Sequence, residues 1–205
     1  MFLLRSLSRF VIFSRNIWRR GMMLILRPAF GRHGRRFIFD PNAFYSYPNV
    51  EVGDDVCIGT GAVFLASESK IIVGNKVMFG PNVTVVGGRH NTSVVGKYMY
   101  DVHEKRPNDD LDVIFDDDVW VGSCTVILMG VRVGRGSIVA AGTLVNKNVP
   151  PYTVVGGIPA KRITMRFNSL EAVLAHEALL YPPEKRLNRE SLEEIFESEE
   201  KIINN

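Results

Sequence analysis

The chain has 205 residues, of which 46% are hydrophobic and 23% charged. Those are ordinary globular proportions, so collagen-like, mucin-like and wholly disordered chains are excluded, and the length gives one domain a sizeable core. The net charge of +3 conceals a strong polarity: residues 1–39 hold nine arginines and no acid, and the remainder holds 16 Lys and Arg against 22 Asp and Glu.

The arginine-rich segment comes first. No charge-free apolar run reaches the roughly 18 residues that a membrane-spanning helix needs. Arg5, Arg9 and Arg15 also interrupt any stretch suited to a secretory signal. Residues 2–26 mix Phe, Leu, Ile, Trp18 and Met with arginine at near-helical spacing, as a basic amphipathic helix does. Packing against its own subunit or a neighbour, with the arginines solvated, is the plainest use for it. Peripheral membrane contact through residues 1–27 is the alternative. No nucleic-acid partner is expected, because nothing has the aromatic-platform pattern of an RNA-binding sheet. The expected division is a basic segment at 1–39, a repeat domain at 40–160 and a helical extension at 161–205.

From Val52 onward a period of six appears. Apolar residues stand at Val52, Ile58 and Phe64; then, after a three-residue offset, at Val73, Phe79 and Val85. After a long insertion they resume at Phe115, Val121, Ile127, Val133, Val139 and Val145. Chance alone gives twelve such hits about once in ten thousand. Glycine follows six of the twelve, and the residue four places on is small or β-branched in ten, from Val56 and Ala62 to Thr143 and Val149. A helix cannot produce this pattern, since six residues are about 1.67 turns and the apolar positions would smear around it. A long strand fails too, because the glycines would break it. Short strands joined by corners, with the glycines supplying positive φ, make a β-solenoid. Three hexads per triangular coil give about four coils stacked about 4.8 Å apart. Residues 67–70 then read as a corner bulge and residues 87–112 as a loop thrown outward. A loop of that length in so regular an array suggests function.

Val149-Pro150-Pro151-Tyr152 stops the repeat, because proline cannot donate to the ladder. A glycine-rich turn leads out of it. An amphipathic helix is expected over residues 170–180, with Leu170, Val173, Leu174, Ala178 and Leu179 on one face, and a second helix capped at Ser191. Cys57 and Cys124 form no CxxC motif and no His/Cys cluster, which suits a reducing compartment and gives a cytoplasmic expectation.

Three runs carry a resemblance: Asp118-Val119-Trp120-Val121-Gly122-Ser123, Val133-Gly134-Arg135-Gly136-Ser137-Ile138-Val139-Ala140-Ala141-Gly142, and Val149-Pro150-Pro151-Tyr152-Thr153-Val154-Val155-Gly156-Gly157-Ile158-Pro159-Ala160-Lys161. Together they resemble the hexapeptide-repeat acyltransferases, in particular the branch of xenobiotic, maltose/galactoside and capsular-polysaccharide O-acetyltransferases. The resemblance covers about residues 50–166. It implies a mainly β fold, a left-handed parallel β-helix with flanking helices. It also implies a homotrimer with acetyl-CoA, the acyl donor, held in a groove between neighbouring solenoids.

Within that family the position of His90, at the start of the excursion loop, is the catalytic one. An imidazole with an ordinary pKa near 6.5 can take the proton of a sugar hydroxyl as it attacks a thioester. A lone histidine is more often a surface or packing residue, and His103 in the same loop is its rival. Asp101, Glu104, Asp109, Asp110 and Asp112 all stand open as its carboxylate partner. The backbone at Gly122-Ser123 matches the family's turn that steadies the oxyanion. Trp120 and Ser123 match positions lining the pantetheine arm, Ala141 and Gly142 the coil backbone beside it, and Lys147 and Lys161 the basic positions near the CoA phosphates. Asn146 and Asn148 depart from the threonine and aspartate common around that lysine. The family's sugar-recognition residues do not carry over, which favours a lipid-linked or nucleotide-linked saccharide acceptor over free disaccharides or antibiotics. No metal is expected, because a zinc-dependent relative of this fold needs three histidines. An antibiotic or amine acetyltransferase and a non-catalytic trimeric scaffold are the alternatives.

Overall fold

The computed structural model describes residues 1–203, so residues 204 and 205 of the expected C-terminal extension lie outside the described residues. Helix α1 (Phe2–Leu26) spans the arginine-rich segment. Fourteen short strands then wind as successive sides of a triangle: β1 (Phe44–Tyr45), β2 (Val50–Val52), β3 (Cys57–Ile58), β4 (Val63–Leu65), β5 (Ile71–Val73), β6 (Met78–Phe79), β7 (Thr84–Val86), β8 (Val113–Phe115), β9 (Trp120–Val121), β10 (Val126–Ile127), β11 (Arg132–Val133), β12 (Ile138–Val139), β13 (Leu144–Val145) and β14 (Thr153–Gly156). From β4 to β13 each strand stacks in parallel on the one three before it, and β14 stacks on β12. The first face is β1-β4-β7-β10-β13, the second β2-β5-β8-β11 and the third β3-β6-β9-β12-β14. Strand β15 (Lys161–Met165) pairs antiparallel with β14 and ends the third face. The chain then leaves into α2 (Leu170–Leu180) and α3 (Arg189–Ile203).

The period of six is the inside of this prism. All twelve expected positions from Val52 to Val145 are buried, and so are the ten small or β-branched positions four residues on. Each coil therefore points two residues per side inward, and burial of the apolar side chains is the main stabilising force, at about 25 cal/mol for each Å² removed from water. Aromatic rings stack up the lower interior, with centroids 5.7 Å apart for Tyr45 and Phe64, 5.3 Å for Phe64 and Phe79, and 4.9 Å for Phe79 and Phe115.

The role of the glycines needs correction. The six glycines after the apolar positions are not the residues with positive φ. That conformation falls two residues later, at Asp55, Lys76, Asn82, Asp118 and Cys124, all with φ near +60° (57° to 60°), and at Gly61, Gly130, Gly136 and Gly142. The six glycines answer to close stacking instead: a Cβ on Gly80 would lie 2.6 Å from the Ser123 backbone nitrogen, and one on Gly122 2.5 Å from that of Ala141.

The solenoid also extends past the hexads at both ends. Phe30, Phe37 and Phe39 join the same core upstream of residue 40, and Ile38 bridges to Cys57. Downstream, β15 keeps residues 161–165 in the third sheet rather than in a helical extension. A solenoid end exposes unpaired backbone, and these additions cover it.

Helix α2 differs from expectation as well. It buries Val173 and Glu177, while Leu179 is 85% exposed and Ala178 faces solvent. The reason is polar. Glu177 accepts hydrogen bonds from the Tyr152 hydroxyl, from Arg135 Nη1 at 2.9 Å and from the Leu187 backbone at 3.0 Å, which draws a carboxylate to the inner side. Helix α3 begins at Arg189 rather than Ser191, because the Asn188 side chain accepts from the Glu190 N–H at 2.9 Å and caps it.

Candidate active site

The loop at residues 87–112 leaves the first face after β7 and rejoins the second face at β8. An antiparallel neck closes it, with Arg89 N–H donating to the Asp109 carbonyl at 2.7 Å and Leu111 N–H to the Gly87 carbonyl at 3.0 Å. Gly88 leaves room there for the Asp110 carboxylate, which lies 2.1 Å from where a Cβ would be.

Three of the five loop carboxylates offered as partners for His90 are occupied in holding this loop. Asp109 is fully buried and accepts from the Arg106 backbone at 2.9 Å, from the Arg106 guanidinium at 2.9 Å and from Arg89 Nε at 3.0 Å. The Arg106 guanidinium, more than any other group, holds the Asp109 carboxyl below the usual carboxylate range. Asp110 accepts from Ser67 Oγ at 2.9 Å and pairs with Lys105. Asp112 accepts from the Lys70 N–H at 2.7 Å. Asp101 and Glu104 are not bonded to His90 either.

His90 itself sits between two pinned neighbours. Arg89 is tied to Asp109, and Asn91 is buried with its amide donating to the Glu104 carbonyl at 3.3 Å. Among the described residues the His90 ring makes no hydrogen bond, so its nitrogens are free for a ligand. It lines a concavity of about 480 Å³ over the first face, together with Ser46, Leu65, Ser67 and Lys105. It also lines an adjoining one of about 540 Å³ shared with Met99, Tyr100 and His103. The loop thus brings the rival histidine to the same opening. Ser67 and Lys105 escaped sequence reasoning; the three-residue offset at 67–70 was the sign of the first and the excursion at 87–112 of the second.

The remaining predicted residues divide between two corners of the prism. Trp120 is 50% exposed on β9 and is followed by Ser123 at the corner between third and first faces, with Ala141 and Gly142 stacked on that corner one coil later. Gly142 N–H donates to the Ser123 carbonyl at 2.8 Å, and Ala160, beside Lys161, is joined to Leu144 just above. Lys147 lies at the other corner, following β13 as His90 follows β7. Both lysines are exposed and have no ion-pair partner among the described residues. Of the expected oxyanion donors, the Gly122 N–H is spent on the Val139 carbonyl at 2.7 Å, whereas the Ser123 N–H is uncommitted among the described residues. Neither His90 concavity contains Trp120, Ser123, Ala141 or Gly142.

The outer faces differ in character. Outward residues of the third face run in register as Cys57, Met78, Trp120, Ile138 and Val154, an apolar ladder with Met78 and Trp120 half exposed. The second face carries ion pairs at its end strands, with Glu51 paired to Lys70 at 2.7 Å and Arg132 to Asp116 at 2.8 Å, and isoleucines, Ile72 and Ile114, between them.

No family model matches the chain. It is 32% identical over 142 residues to a galactoside O-acetyltransferase of Lactococcus lactis subsp. lactis, an alignment covering 67% of this chain and 64% of that enzyme. It is 31% identical over 152 residues to a chloramphenicol acetyltransferase of Morganella morganii, covering 71% of this chain and 67% of that enzyme. A solved hexapeptide-repeat acetyltransferase of Vibrio cholerae O1 biovar eltor, complexed with acetyl coenzyme A, has a TM-score of 0.62 at 28% identity, covering 71% of this chain and 76% of that one. On the stacked hexads, the left-handed parallel β-helix they build and these likenesses, the chain belongs to the hexapeptide-repeat acetyltransferase family.

Proposed function

We propose that the protein transfers an acetyl group from acetyl-CoA to a hydroxyl of a saccharide, with His90 as general base. The observation that carries this is the free His90 ring, held between clamped neighbours at a concavity beside the coil. As the acceptor oxygen bonds to the thioester carbonyl carbon, His90 takes the hydroxyl proton, and as the C–S bond breaks it returns that proton to the departing sulfur. The Ser123 N–H is the donor for charge on the carbonyl oxygen. Trp120, Ala141 and Gly142 offer an exposed, partly apolar surface for the pantetheine arm, and Lys147 and Lys161, with no ion-pair partner among the described residues, suit the CoA phosphates.

The catalytic and donor-groove residues stand at different corners of one chain, so a site uniting them uses two copies. A cyclic assembly joins unlike surfaces of neighbouring subunits, and an exposed apolar ladder on the third face favours burial against a partner. A homotrimer is the proposed form. The free, exposed Cys57 and Cys124 suit a reducing compartment, and the cytoplasm is the proposed location.

The test is release of free CoA thiol from acetyl-CoA in the presence of a panel of sugars, sugar nucleotides, lipid-linked saccharides and chloramphenicol. Turnover with a saccharide, reduced about a hundredfold or more by His90→Ala with unchanged melting, is the expected result. A His90→Ala enzyme as fast as wild type would overturn the assignment of the base. Turnover with chloramphenicol alone would replace the acceptor and keep the chemistry.

A further inference from the structure

No described helix is long and apolar enough to cross a membrane. Helix α1 nevertheless exposes more apolar surface than a water-facing helix needs. Among the described residues its attachment to the solenoid lies at its C-terminal end: Arg19 pairs with Asp40 at 3.5 Å, Met23 and Leu26 pack on the core, and Arg27, just past the helix, donates to the Phe37 carbonyl at 2.9 Å. At about 100° per residue, Arg19, Met23 and Leu26 fall within an arc of about 60°. Leu7, Phe10, Phe13, Ile17, Trp18 and Leu24 occupy the opposite half of the helix, each more than half exposed, from 51% to 66%. The solenoid therefore holds α1 by its arginine side and turns its apolar side away from the body.

We propose that this outward face of α1 lies in the headgroup layer of an anionic lipid surface. The charge is complementary: α1 carries Arg5, Arg9, Arg15, Arg19 and Arg20 and no acid, and such basic, aromatic-rich amphipathic helices lie in the bilayer interface. Arg15 and Arg20 border the apolar arc on its two sides, where long cationic side chains reach phosphates while their stems stay apolar. A second copy of α1 is a poorer occupant. It brings no carboxylate to the arginines, and the heptad seam running through Leu7, Phe10, Ile17 and Leu24 is broken by Ser14 and Gly21. The proposal rests on no part of the catalytic reading.

The experiment is flotation of the full-length protein with phosphatidylcholine vesicles prepared with and without phosphatidylglycerol, over a range of salt. Wild type should float with the anionic vesicles, and salt should release it. Replacing Arg5, Arg9 and Arg15 by Gln should weaken binding by about tenfold or more. Phe10→Glu with Ile17→Glu should abolish binding while the soluble assembly keeps its mass and melting temperature. The proposal is overturned if wild type stays at the bottom of the gradient with anionic vesicles, or if it binds neutral vesicles as well as anionic ones. It is also overturned if the double glutamate variant changes the mass of the assembly, since α1 would then join copies of this chain.

Discussion

Asp109 shows how single side chains set the geometry at His90. Its buried carboxylate is the common acceptor for Arg89 and Arg106, so the residue immediately before His90 is held by charge as well as by backbone. The fold lowers its pKa, so between the folded value and the unfolded value of about 3.9 the unfolded chain binds more protons. Its contribution to stability is therefore present above about pH 4 and is lost as pH falls further toward the folded value. Thermal melting of wild type and Asp109→Asn between pH 3 and pH 7 tests this. The variant should melt lower at neutral pH and show a shallower loss on acidification, and its kcat should fall because the loop no longer fixes His90. Little of this was legible in the chain. Position in a recognisable loop singled out His90, but Asp101, Glu104, Asp109, Asp110 and Asp112 look alike as letters, and only folding shows which of them arginine or lysine has claimed.

The strands and corners were far more legible, for a physical reason. A prism interior admits the same kind of side chain at every repeat, so burial writes a period into the sequence that survives a bulge and a 26-residue excursion at 87–112. The corners were read wrongly because two demands fall on neighbouring positions. Close stacking selects glycine right after the apolar residue. Positive φ two residues later is met by Asp55, Asn82 and Asp118, whose types tolerate it, but also by Lys76 and Cys124, which give no signal. The end coils stayed hidden because the spacing there departs from six: Tyr45 lies inside next to Phe64, and Val155 above Val139. The two glycine roles separate experimentally. Gly122→Ala drives a Cβ into the backbone of the next coil and should cost about 1–3 kcal/mol or more. Gly142→Ala has nothing within 4 Å of the new Cβ and meets only its φ of +70°, a cost of about 1 kcal/mol. Denaturant unfolding of both variants should rank them in that order, and equal losses would mean that the stacking contact is slack.

Across the whole molecule, the fold distributes the proposed functional residues by corner. One corner carries the loop with His90 and, two coils on, Lys147; another carries Trp120, Ser123, Ala141, Gly142 and Lys161. Face character differs too, since the second face has ion pairs at its end strands while the third carries an exposed apolar ladder. On the proposed reading, a reaction site assembled from both corners would make each subunit half an enzyme twice over. Mixed assemblies test this directly. His90→Ala removes the proposed base, and Ala141→Trp, at an exposed corner position, obstructs the proposed donor surface; each variant alone should be nearly inactive. Equal amounts unfolded and refolded together should recover about a quarter of wild-type thiol release, because in a random cyclic assembly about one junction in four pairs two intact halves. Mixtures as inactive as either variant alone would contradict a site shared between subunits.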